Sequence, residues 1–157
     1  MPALLPMVMV LFFAGLIAQT GLLSQSVAGA GAAGALESAA AQRAAAAEVY
    51  AAACVEAALE QGDVVSSSIT VTLPAGVIAP DDAGCMTTSA SSGLNVFAYV
   101  PSVPGAAGRI RANTLGDMSW YAVRASGTAI NLSTGTSYTV SSSIPSGELL
   151  DWVVINP

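Results

Sequence analysis

The chain has 157 residues, 54% of them hydrophobic and only 9% charged, with a mean hydropathy of +0.65; that is room for one modest domain plus a segment or two. Four arginines, no lysine, no histidine and ten acids give a net charge of −6. Nucleic-acid binding is not expected without clustered cations to displace phosphate counterions. The missing His and Lys remove the usual triads, Ser–Lys dyads and Schiff bases, and two cysteines without histidine cannot close a zinc site.

Every charged residue lies at Glu37 or later. The opening run Ala3 to Leu23 would span about 31 Å as a helix, which matches a bilayer core. Pro2 and Pro6 fall in its first turns, where a missing N–H costs least. A retained transmembrane anchor is expected over 1–24, with lipid met by residues 3–23. The alternative is a cleaved signal peptide, for which Ala28-Gly29-Ala30 supplies a small-residue site. Against it, a positively charged start is missing and the apolar run exceeds a signal core. Arg43 is too far from the run for charge to fix orientation.

A Gly/Ala-rich hinge is expected over 25–35. Its Gly29-x-Gly31-x-x-Gly34 spells a dinucleotide fingerprint, but an apolar helix precedes it where that motif needs a strand. A flexible hinge or a close-packing helix surface suits it better. The remaining residues, 36–157, form the expected domain.

Leu36 to Gln61 predicts a long helix, since Ala dominates and neither Gly nor Pro interrupts it. Glu48, Ala52, Glu56 and Glu60 share one face, expected to be solvated. Ala47, Tyr50, Ala51, Cys54 and Ala58 lie opposite and should dock on something large. Gly62 stops the helix. The pattern then turns to period two, predicting strands over 68–73, 94–100, 119–123, 128–132, 137–141 and 149–155. A short helix is expected over 105–115. Fold class is therefore expected to be α+β: an N-terminal transmembrane helix continuing into a long Ala-rich helix, packed on a small antiparallel sheet.

Asp81-Asp82, in a Pro-Asp-Asp-Ala-Gly stretch, suits a turn, with weak calcium binding as the alternative. No metal, cofactor or small-molecule substrate and no catalytic residue is expected. Cys54 points off the helix toward the domain, and Cys85 is expected in the Gly-bearing loop after the first strand. An even count, placed so, suits a disulfide between Cys54 and Cys85, with two buried free thiols as the alternative.

The order of elements resembles a known family. The stretches AEVYAAACVEAALEQGD (47–63), ITVTLPAGV (69–77), VFAYVPSVPG (96–105) and SIPSGELLDWVVI (143–155), following an apolar N-terminal run, are similar to the PilM-like proteins of type IVB conjugative thin-pilus systems. That resemblance implies a pilin-like plan and a single-pass protein of the bacterial inner membrane with its C-terminal domain in the periplasm. It implies a non-enzymatic part in pilus assembly, at the pilus base or in pilin export, with other pilus-assembly proteins or further copies of the chain as partners. The runner-up is a pilin or Tad-type pseudopilin subunit that polymerises through its apolar helix. The basic leader of a type IV pilin, and the Glu five residues into its mature helix, are both missing here.

Overall fold

The computed structural model describes residues 31–156. Its first element is helix α1, Ala32–Gln61, which begins earlier than expected. Residues 32–35 of the expected hinge are thus helical, as Gly34 is tolerated among strong helix formers. The expected anchor over 1–24 and the rest of the hinge to residue 30 lie outside the described residues. Ala40, Ala44, Ala47, Tyr50, Ala51, Cys54 and Ala58 form the buried stripe, matching the face assigned from spacing. Gly62 ends the helix with a left-handed φ of 67° and its N–H on Leu59 O.

Six strands follow: β1 Gly84–Ala90, β2 Gly93–Pro101, β3 Trp120–Ala125, β4 Thr128–Asn131, β5 Ser137–Thr139 and β6 Glu148–Ile155. A short helix α2, Ala106–Asn113, lies between β2 and β3. The spatial order is β1-β2-β6-β3-β4-β5, and every pairing is antiparallel.

This corrects the expected plan of a transmembrane helix running into a helix on a small sheet. The sheet has six strands and curls into half of a barrel. Among the described residues no helix is long and apolar enough to cross a membrane. α1 carries Glu37, Arg43, Glu48, Glu56 and Glu60, and its apolar positions are mostly Ala, too short a side chain to make the helix a lipid-facing rod.

Alternation along the strands gives the sheet two apolar faces. On one face Leu94, Val96, Ala98, Val100, Trp120, Leu149 and Ile155 pack with the buried stripe of α1 and with Ile110 of α2. Small side chains let the two helices approach: an added Cβ on Gly105, just before α2, would sit 3.2 Å from Ala40 Cβ. On the other face Met86, Phe97, Tyr121, Val123, Ala129 and Leu150 enclose Val140 and Ile144 from the segment after β5. Ser143 Oγ reaches Met86 Sδ at 3.5 Å, so that segment returns across the curl to the first strand.

The strand expected over 68–73 is not one. Residues 64–69 are a strap along the outer edge of β1, with Ile69 N–H on Cys85 O and Thr87 N–H on Ser66 O, both 2.8 Å. The buried Thr87 hydroxyl fixes the strap by donating to Val64 O and accepting from Ser66 N–H. An edge covered in this way is withdrawn from stray pairing.

Candidate functional site

Three places concentrate what chemistry the described residues have. The first is the bond between Cys54 of α1 and Cys85 of β1, with Cα atoms 5.7 Å apart and both residues buried. Cys85 therefore stands on a strand, not in the expected loop. It faces α1 because Gly84 and Cys85 extend the β1 ladder to Tyr99 and Ala98. The bond closes 31 residues and ties the helix to the strand beyond the strap.

The second is the seam between β6 and β3. Only three register pairs join them: Trp120 with Asp151, Tyr121 with Leu150 and Ala122 with Leu149. By contrast β2 and β6 pair over eight positions, from Leu94–Ile155 to Pro101–Glu148. Asp151 closes one end of the seam and Glu148 sits just past the other. Both carboxyls are buried, and Glu148 Oε2 and Asp151 Oδ1 have no hydrogen-bond partner. Burial pushes the Glu148 carboxyl up to about 7; Asp82 adds to the rise and Arg43 opposes it. Burial likewise pushes Asp151 up to about 6, against a side-chain hydrogen bond with Ser119 and with some help from Asp117. A desolvated carboxylate disfavours its own charge, so both groups hold their protons unusually well.

Aromatic rings bridge the same seam on the face away from α1. Trp152 of β6 stacks at 5.4 Å from Phe97 of β2 and at 5.6 Å from Tyr121 of β3. Tyr138 of β5 meets Tyr121 and Trp152 edge-on. The Trp152 indole N–H donates to Asn95 Oδ1 at 2.9 Å, which satisfies its polar edge.

The third place is the turn after α2. Leu115 has a left-handed φ of 55° and is 94% exposed. Gly116 N–H closes the helix end on Arg111 O, 2.9 Å. Both the backbone and the exposure are unfavourable for leucine. Met118, three residues on, is also exposed.

Other residues singled out from the sequence do not assemble. Asp81 and Asp82 stand in a turn, Asp82 with φ 60°, and among the described residues no group of three His, Cys, Asp or Glu could hold a metal. Gly34 of the fingerprint lies inside α1, with no strand before it among the described residues. Glu56 and Glu60 are exposed, while Glu48 accepts a hydrogen bond from Asn113 of α2 at 3.0 Å and so couples the two helices. Glu148 and Asp151 were missed by sequence reasoning. Phase was the available signal for Asp151, since Leu149, Asp151, Val153 and Ile155 share one side of β6, and none marked Glu148.

No protein-family model, curated protein or solved structure matches the chain.

Proposed function

We propose that this protein is a non-enzymatic component of type IV pilus assembly of the PilM-like kind, working through protein contacts on the periplasmic side of the bacterial inner membrane. In this proposal residues 3–23 meet lipid, and the α1–sheet domain meets other pilus-assembly proteins or further copies of the chain.

The observation that carries the proposal is the buried bond between Cys54 and Cys85. Structural disulfides persist in oxidising compartments, and the bacterial periplasm is one. Leu115 and Met118, both exposed at the turn after α2, offer an apolar spot for a partner to cover. The family itself rests on the resemblance of the stretches 47–63, 69–77, 96–105 and 143–155.

Fractionation of cells into sheared filaments, membranes and cytosol, with detection of the chain in each, tests the proposal. Recovery from membranes together with pilus-assembly proteins is the expected result. The chain as the main band of sheared filaments would replace the proposal with a filament subunit. Recovery from the cytosol would remove both.

A further inference from the structure

We propose that the β3–β6 seam is a proton-operated clasp: it is closed while Glu148 and Asp151 are protonated, and it opens when both ionise, parting the β1-β2-β6 half of the sheet from the β3-β4-β5 half.

The geometry carries this in three steps. In the backbone ladder the halves are joined by three register pairs, against eight between β2 and β6 and seven between β1 and β2, with the Trp152–Tyr121 ring contact spanning the seam beside them. Two further backbone bonds extend the seam at its ends, Gly147 N–H to Val123 O at 2.8 Å and Trp152 N–H to Ser119 O at 2.9 Å. The two carboxyls stand at those same ends. Glu148 follows Gly147 directly, and Asp151 precedes Trp152 while pairing with Trp120.

Each carboxyl has an oxygen that finds no donor inside the protein. An orphaned neutral carboxyl is tolerable, whereas an orphaned carboxylate is strongly penalised in a low-dielectric site. Opening the seam hydrates the carboxylate and removes the penalty. The proton lost on ionisation goes to solvent and returns on closing, so the cycle needs no other reactant.

The charged surroundings do not neutralise the effect. Glu148 has Asp82 near it from the turn before β1, Arg43 near it from α1, and Arg124 of β3 lining the same surface depression. No salt bridge joins Glu148 to either arginine among the described residues. Asp151 has Ser119 and Asp117 from the turn before β3, and Tyr121 of β3 within electrostatic reach. Its register neighbours on β2 and β3, Ala98 and Trp120, carry no charge. Arg43 and the Ser119 hydrogen bond favour the ionised forms, but burial outweighs both.

Native-state amide exchange tests the clasp on the whole folded protein. The reporters are the Gly147 and Trp152 amides, and the references are Thr87 and Ile69, which bond across the strap and β1. Corrected for intrinsic rates, seam protection relative to the references should fall at least about tenfold between about pH 5 and about pH 8. The double variant Glu148→Gln, Asp151→Asn keeps the neutral shape of both groups, and its ratio should stay high across that range. A wild-type ratio constant within about twofold would overturn the proposal, as would the same fall in the double variant. Should the double variant not fold, the wild-type ratio still decides, and each single variant must then retain only part of the fall.

Discussion

The phenol ring of Tyr99 fills the space that a side chain on Gly84 would need; the two are register partners across the β1–β2 ladder. A Cβ on Gly84 would run into the far end of that ring, which can swing outward because Tyr99 is only half-buried. Gly84→Ala should therefore cost on the order of 1 kcal/mol. Gly93, in the turn of the same hairpin, has φ 118°, and its Cβ would meet the Ile155 carbonyl, which is backbone and cannot swing away. Gly93→Ala should cost roughly 2–4 kcal/mol. Denaturant melts of both variants check the ranking; a Gly84→Ala cost equal to that of Gly93→Ala would mean that the Tyr99 ring cannot swing aside.

Closing 31 residues, the Cys54–Cys85 bond should stabilise the domain by about 3–4 kcal/mol on the chain-entropy model. The double variant Cys54→Ala, Cys85→Ala should lose that much in a urea titration. A loss below about 1 kcal/mol would mean that the strap and the α1 packing already restrict the unfolded chain.

Stability should also depend on pH in a defined direction. Glu148 rises from an ordinary 4.5 to about 7, and Asp151 from 3.8 to about 6. For acids raised on folding, the native state binds more protons than the unfolded one, so unfolding free energy falls as pH rises. The contribution is complete below about pH 4 and is gone above about pH 7. Thermal melts should therefore show a Tm that declines across this window and then levels. Glu148→Gln should flatten the upper part, and Asp151→Asn the middle. A Tm that climbs from pH 5 to pH 7 would show that neither acid is buried as described.

Leu115 offers a separation of stability from contact. Glycine suits the left-handed position at a helix C-terminus, so Leu115→Gly should stabilise the isolated domain by about 1 kcal/mol. If Leu115 is a contact anchor, the same variant should recover fewer partner proteins from solubilised membranes. A stabilised variant with unchanged recovery would leave Leu115 without a contact role.

Much of this fold was legible in the sequence where one face is wet and the other dry. α1 announced its buried stripe through Ala47, Tyr50, Ala51, Cys54 and Ala58, and β2 and β6 announced themselves through their runs of β-branched and aromatic residues. β1 did not. Cys85, Met86 and Thr87 are buried in succession because α1 and the strap cover one side and the returning segment near Ser143 the other. Such a strand shows no period of two. The residues 68–73 have the alternation of a strand but form none, only 68 and 69 belonging to the strap, because pairing depends on neighbours that no local pattern encodes. The buried acids were hidden for a related reason. A carboxylate beside Ser146-Gly147 reads as solvated, and only the register of β3 on β6 puts Glu148 and Asp151 at a seam.

We propose an extracytoplasmic location for the domain whose helix Cys54 and Cys85 tie to its sheet. The most direct test is to alkylate free thiols in intact cells as they are lysed in denaturant, and then to count thiols on the purified, unreduced chain. No alkylated cysteine before reduction and two new thiols after it are predicted. Two alkylated cysteines before reduction would contradict both the bond and the compartment it supports.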